Sequence, residues 1–140
     1  MADRDSCESE GKSVIFKLDS GASDHLIKAK WCFAELANLG NPIEINVAKD
    51  DQVLLAKQAE KIIGKSSLGV ELTMKDDLYI PELRDNLLSV RKLTKAGAVV
   101  KFSGNKALIF YGKELIADAI LKGNLYELKI QIDCNAAENS

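Results

Sequence analysis

The sequence predicts an all-β domain with one short helix in the C-terminal half of the chain. Most of the 140 residues fall in short runs rich in β-branched and aromatic residues, separated by turn-forming residues. A single stretch, from Asn86 or Leu87 to Ala96, repeats apolar residues near helical spacing and precedes Gly97, a typical residue after a helix. A chain of this length forms one domain that buries a core without disulfides or metal ions.

The N-terminal half predicts a strand, then a hairpin, then further strands. Residues 14–18 alternate apolar and polar side chains, which is typical of a half-buried strand. Residues 43–48 and 52–56 predict the two arms of a hairpin with a charged, mobile tip. Residues 57–63 fit either a strand or a helical turn. The remaining expectations are a turn at Gly64-Lys65 or Ser66-Ser67, and strands at 68–74 and 77–80.

The segment after the helix predicts a β meander. Turn-forming residues separate four apolar runs, which are residues 99–102, 107–111, 114–120 and 125–132. In the last run, apolar and polar side chains alternate from residue 126 onward, and the apolar ones on one side are Tyr126, Leu128, Ile130 and Ile132. This apolar face covers either a partner chain or the domain's own core, and the sequence leaves both open.

Composition excludes several classes of function. The 19 Lys and Arg residues balance 21 Asp and Glu residues without a basic run, so direct binding of nucleic acid is not expected. Three widely spaced cysteines and one histidine support neither a metal site nor a disulfide framework. No apolar run is long enough to span a membrane. We expect a cytoplasmic protein that acts on polypeptide, with a domain at 12–132 between flexible flanks at 1–11 and 133–140.

Asp19-Ser20-Gly21 is the most informative motif. The strand before it brings the Asp19 carboxylate onto a tight turn, where Gly21 permits either a positive φ or a close approach of another backbone group. Taken alone, the tripeptide also fits an ordinary turn in which Asp and Ser cap backbone amides. Two rival interpretations involve nearby residues. In the first, His25 forms a catalytic triad with Ser20 or Ser23. In the second, Asp-Ser-Gly is a phosphodegron, but that motif needs a second serine one position after Ser23 and a disordered segment.

The motif has a wider context. Residues 18–25, Leu-Asp-Ser-Gly-Ala-Ser-Asp-His, resemble the catalytic segment of aspartic proteases from copia-type LTR retrotransposons. Residues 77–93 resemble the block that ends such protease domains, and residues 123–128 are a weaker match. The resemblance covers about residues 14–130. It implies a retropepsin-like closed β-barrel of the acid-protease type.

The resemblance also implies an activity and a partner. An aspartic endopeptidase hydrolyses peptide bonds with water held between two carboxyl groups that share one proton. Because the chain contains one Asp-Ser-Gly motif, the second Asp19 must come from a second chain in a homodimer. The implied substrate is the chain's own Gag-Pol-type precursor, cleaved in the cytoplasm within virus-like particles, and no cofactor is implied. The alternative is a domesticated domain with a non-catalytic, protein-binding role.

Individual residues carry over from the family. The implied catalytic residues are Asp19, Ser20, which hydrogen-bonds across the twofold axis, and Gly21, which offers its backbone to the peptide. The implied substrate-binding residues are Ala22, Ser23, Asp24, Leu87, Leu88 and the flap residues Val47, Ala48, Lys49, Asp50 and Asp51. Retroviral relatives pair an acid after the motif with an arginine in the helix, and here Ser23 and Val90 occupy those positions. Asp24 and Arg91, one step along, are candidates to replace that ion pair.

Overall fold

The computed structural model describes residues 12–47 and 52–132, which form ten β-strands, one 3₁₀ turn (Lys30–Cys32) and one α-helix, α1 (Val90–Lys95). The strands are β1 (Lys12–Asp19), β2 (Leu26–Ile27), β3 (Glu35–Val47), β4 (Gln52–Ser66), β5 (Glu71–Tyr79), β6 (Asn86–Ser89), β7 (Ala98–Ser103), β8 (Lys106–Tyr111), β9 (Glu114–Lys122) and β10 (Leu125–Ile132). The predicted class, mostly β with one short helix, is confirmed. No helix in this part of the chain is long and apolar enough to cross a membrane.

The ten strands form one sheet in the order β3-β4-β5-β2-β6-β1-β10-β9-β8-β7. Strand β10 also pairs with β4, so the pairings run from β4 through β5, β2, β6 and β1 to β10 and return to β4. The middle of the sheet is therefore barrel-like, while β3 and the meander β7–β9 extend from it on either side.

Strand β1 lies between two partners. It runs antiparallel to β10, from Lys12 opposite Ile132 to Lys17 opposite Glu127. It runs parallel to β6, which places Asp19 beside Ser89. Since β1 also buries Phe16 completely in the core, the strand that leads to Asp19 is held by two ladders and by packing.

The apolar face of β10 lies in the domain's own core. Leu128, Ile130 and Ile132 are almost completely buried there, and Tyr126 packs against the same cluster. The choice that the sequence left open is therefore settled for this face, and a partner chain would have to use another surface.

The predicted helix is shorter than expected. Residues 86–89 form strand β6 instead, because they pair with β1 in the parallel register. Ser89 has extended backbone angles and accepts a hydrogen bond from the Lys92 amide at its hydroxyl, which makes it the N-cap of α1. The predicted end is correct: Ala96 is the C-cap and Gly97 follows it with φ +106°.

Strand β4 decides between alternatives that the sequence left open. Residues 57–63 are strand, and of the two turn positions Gly64-Lys65 is wrong because Gly64 lies within β4 opposite Ile132 of β10. The alternative, Ser66-Ser67, is confirmed: the chain turns after Ser66, where the Gly69 amide donates to the Ser66 carbonyl. The two strands predicted at 68–74 and 77–80 form one strand, β5. The four predicted strands of the meander are confirmed.

Candidate active site

A cleft of about 600 Å³ opens beside Asp19. Its walls come from three segments: the loop after β1, the hairpin β3–β4, and the chain around β6. Of the residues predicted for catalysis or binding, the cleft is lined by Asp19, Gly21, Ala22, Ser23, Asp24 and Leu87. The structure thus brings together most of the predicted site within the described residues, whereas Ser20 lies exposed beside it.

The Asp19 loop, residues 19–25, begins with a short hydrogen bond of its own. The Gly21 amide donates to Asp19 Oδ1 over 2.8 Å, so the backbone turns back onto the carboxylate. Gly21 does not have a positive φ. A Cβ at this position would lie 3.4 Å from Asp19 Oδ1, and close approach is therefore the property of glycine that the loop uses.

The far side of the loop is bound to β6 through one buried residue. Ser89 Oγ donates to the Ala22 carbonyl over 2.7 Å. The Ser89 amide donates to His25 Nδ1 over 2.9 Å. Ser89 and His25 are both buried. No local pattern in the sequence marks Ser89, because its contacts depend on a strand pairing across about seventy positions of the chain.

His25 is a neutral hydrogen-bond acceptor in this structure. Burial, and secondly the positive charge of Lys92, lower the pKa of His25 to about 3. Its Nδ1 accepts from the Ser89 backbone, while the Ser23 hydroxyl donates to Asp24 Oδ2 over 3.0 Å. Neither contact joins a histidine to a nucleophilic hydroxyl, so the structure does not support a catalytic triad.

The hairpin β3–β4 forms the opposite wall. Ile45 and Leu54 face each other in its register and both line the cleft, together with Glu44 and Asn46. Among the predicted flap residues, Val47 ends β3, and Ala48, Lys49, Asp50 and Asp51 lie outside the described residues. The alternation in residues 43–47 was the signal that could have identified Ile45.

The third wall corrects one predicted residue. Leu87 lines the cleft, but Leu88 is buried in the core beside Leu18, because neighbouring residues of a strand face opposite sides. Glu82, Leu83, Arg84 and Asp85 also line the cleft and were not predicted. Asp24 and Arg91 both reach the cleft, yet they form no ion pair in this structure.

Behind the Asp19 loop lies a buried carboxylate that the sequence did not indicate. Asp77 is completely buried and neither of its oxygens has a hydrogen bond of good geometry. Burial raises the pKa of Asp77 to about 7, and nearby Lys92 and the Ile62 amide only partly oppose that shift. The Lys92 ammonium donates instead to the carbonyls of Lys75 and Asp76.

The remaining reactive groups do not suggest a metal site. The described residues contain no group of three or more His, Cys, Asp and Glu side chains that could hold a metal ion. Cys32 is buried in the core, and burial raises the pKa of its thiol to about 12.

Comparison with known proteins identifies the family. The family model described as the β-barrel domain of Pol polyproteins matches residues 16–98, more than half of the chain. The chain therefore belongs to this family of Pol domains. The match includes the Asp19 loop, the hairpin and β6, and it ends where the meander begins.

A curated relative supports the same assignment to retroelements. The chain is 32% identical over 78 residues to the "Retrovirus-related Pol polyprotein from transposon TNT 1-94" of Nicotiana tabacum. The aligned residues are 54% of this chain and 6% of that polyprotein. The chain thus corresponds to a small part of the relative's length.

Proposed function

We propose that this domain is an aspartic endopeptidase that processes a retrotransposon Gag-Pol-type polyprotein, its own precursor. The observation that carries the proposal is the setting of Asp19. Its carboxylate stands at the end of a strand paired on both sides, in a glycine turn, and lines a cleft whose far wall is a long hairpin. The Asp-Ser-Gly-Ala motif at this place matches what peptide hydrolysis by a carboxyl pair needs.

The proposed chemistry uses two Asp19 side chains that share one proton. The ionised carboxylate accepts a proton from the attacking water, and the protonated one hydrogen-bonds the scissile carbonyl. Like charges held close together cannot both ionise easily, so the pair retains its proton at mildly acidic pH. Gly21 would offer its backbone to the peptide, and Ser20 would hydrogen-bond across the axis.

The second Asp19 is proposed to come from a second copy of the chain. The motif occurs once in the sequence, so one chain cannot supply both carboxyl groups. In a symmetric dimer the same surface of both copies meets at the axis, and the exposed Ser20 is the residue that we place there. We place the reaction in the cytoplasm, within virus-like particles, with no cofactor.

The test is cleavage of a fusion that carries the domain's own upstream flank. Asp19→Asn should reduce cleavage by more than about 10³-fold, because the amide cannot accept the proton from water. Asp118→Asn is the matched control, since Asp118 is an acid in β9 that is remote from the cleft and accepts a hydrogen bond from Ser67. Full cleavage by the Asp19→Asn variant, or inhibition by serine- or cysteine-directed reagents, would overturn the proposal.

The dimer has its own test. Activity should fall faster than linearly on dilution, because dissociation removes the site itself. Adding the Asp19→Asn chain to wild type should lower activity by forming mixed dimers with one carboxylate. An active monomer in sedimentation would contradict the shared site. A folded wild-type chain that binds its flank peptide without cleaving it would favour the non-catalytic, protein-binding role.

A further inference from the structure

The Asp19 loop connects β1 to β2, and a single residue of the neighbouring strand β6 binds it twice. Ser89 Oγ reaches the Ala22 carbonyl over 2.7 Å, and the Ser89 amide reaches His25 Nδ1 over 2.9 Å. These contacts lie on the two sides of the exposed Ser23 and the half-buried Asp24. The loop is therefore tied to the same point of β6 near its middle and at its end.

We propose that Ser89 and His25 are positioning residues, which hold the Asp19 carboxylate in its reactive place through the backbone of the loop. The inference rests on the proposed protease function and deepens it. Neither side chain lines the cleft, so neither is placed in contact with substrate. They act through Ala22 and Gly21.

The register of the sheet makes this coupling direct. Asp19 and Ser89 are partners in the parallel ladder of β1 and β6. Ser89, which binds the loop, therefore lies beside Asp19, the first residue of the loop. From the carboxylate, the connection passes through the Gly21 amide and the Ala22 carbonyl to the Ser89 hydroxyl. A shift of the loop by a fraction of an ångström would break one of these short bonds, and catalytic groups need positions fixed to about 0.5 Å.

The Ser89 hydroxyl both donates and accepts a hydrogen bond in this arrangement. It donates to Ala22 and accepts from the Lys92 amide, so the same oxygen joins the loop to the first turn of α1. Removing the hydroxyl would leave the Ala22 carbonyl and the Lys92 amide without this partner in a partly buried place. A threonine would keep the hydroxyl, whereas an alanine would not.

His25 contributes through its Nδ1 lone pair. An acceptor at Nδ1 requires a neutral ring with its proton on Nε2. Since burial and Lys92 lower the pKa of His25 to about 3, the ring remains an acceptor at the mildly acidic pH that a carboxyl pair needs. An asparagine places its side-chain oxygen near the position of Nδ1, whereas glutamine reaches nearer to the position of Nε2.

Asn86 provides a matched control in the same strand. Its side-chain oxygen accepts from the Lys28 amide and its side-chain nitrogen donates to the Ile15 carbonyl. It is buried like Ser89 and also joins β6 to its surroundings, but it has no contact with the Asp19 loop. Loss of the Asn86 bonds should therefore lower stability without moving Asp19.

The experiment measures kcat and KM for cleavage of a flank peptide, below the unfolding transition of every variant. Ser89→Ala and His25→Leu should lower kcat by about 10–100-fold, since small misplacements of a catalytic group have effects of this size, with KM changed less than about threefold. Ser89→Thr and His25→Asn should recover most of the lost kcat, and His25→Gln should not. Asn86→Ala should lower the unfolding midpoint and retain the wild-type kcat.

A second measurement is independent of activity. Hydrogen exchange of the Gly21 amide reports its bond to Asp19, and we expect it to be at least about tenfold faster in His25→Leu and Ser89→Ala than in Asn86→Ala. Equal exchange and equal kcat in these variants would overturn the inference. A wild-type chain without Asp19-dependent cleavage would overturn the proposed function instead, and the Gly21 exchange would still decide whether Ser89 and His25 position the loop. If Ser89→Ala does not fold, the comparison of His25→Asn with His25→Gln decides.

Discussion

The two walls of the cleft are built in opposite ways. The Asp19 loop is short and bonded to a buried residue of a neighbouring strand, and Ser89 is completely inaccessible to solvent. The hairpin wall is long, and its outer half exposes large apolar side chains: Ile43 is 39% exposed, Val53 57% and Leu55 45%. In this half, Ile45 and Leu54 pack against the smaller core cluster around Leu26 and Leu83, while most of the remaining contacts of β3 are with β4.

For the proposed protease, this difference would separate two tasks within one cleft. Groups that react need fixed positions, whereas a wall that admits an extended peptide needs to move. The inner half of β4 belongs with the fixed part, because Ile62 is buried in the core and Gly64 lies against β10. Mobility should therefore begin in the middle of the hairpin, near Ala56.

Hydrogen exchange should show the largest effect of this division. Amides of the outer hairpin, residues 43–47 and 53–55, should exchange at least about 100-fold faster than those of β1 and β6, since they open without unfolding the core. Binding of a peptide inhibitor should slow exchange in the hairpin more than in β1. Slow exchange throughout the free hairpin, unchanged by inhibitor, would remove the distinction between the two walls.

Two glycine substitutions should mark the boundary within the hairpin. An added Cβ at Gly64 would meet the Gln131 carbonyl oxygen at 2.5 Å and Ile130 Cγ2 at 2.7 Å. Gly64→Ala should therefore reduce the free energy of unfolding by about 1–3 kcal/mol, measured by urea denaturation. Gly40→Ala is the control, because a Cβ at Gly40 meets nothing within 4 Å and should leave stability nearly unchanged. Equal effects would contradict a fixed inner half.

Stability behind the Asp19 loop should depend on pH in two opposing ways. The pKa of Asp77 is raised from 3.8 to about 7, so its contribution to stability is present at low pH and is lost as pH rises through 7. The pKa of His25 is lowered from 6.5 to about 3, so its contribution is present above pH 6.5 and is lost as pH falls towards 3. In the wild type the two dependences largely cancel between pH 4 and 6.5.

Single substitutions should reveal each dependence. Asp77→Asn should leave a protein whose unfolding free energy rises from pH 4 to 6.5, by at most about 1.4 kcal/mol per pH unit. His25→Asn should leave one whose unfolding free energy falls over the same range. Urea denaturation at several pH values measures both. Identical pH profiles in the two variants would show that these groups do not carry the opposing shifts.

Sequence patterns correctly predicted the elements that depend on residues close together in the chain. The structure confirms the alternation before Asp19, the turn glycines of the meander and Gly97 after the helix, each of which acts through neighbouring residues. The helical spacing of Leu88 and Leu93 was equally visible, yet residues 86–89 are strand. Pairing with β1 overrides the helical preference there, and no local pattern contains that pairing.

The candidate site shows the same limit. Asp19 and its turn were predicted from contiguous residues, whereas Ser89 and Asp77 acquire their roles from contacts that the fold creates. Leu87 and Leu88 were predicted together, but the two-residue period of a strand places only one of them at the cleft. A motif therefore identified the residue proposed to react and not the residues that hold its loop.

The pairing of β1 with β10 has a consequence for synthesis. Lys12 lies opposite Ile132. Strand β1, the first described strand to be synthesised, therefore cannot complete its pairing until β10, the last, has been synthesised. A pairing across so much chain closes late and slowly. After β6 has been made and before β10 has been made, the strand that presents Asp19 can have one paired edge and one open edge. Any chemistry that depends on Asp19 is delayed until the whole domain has been made.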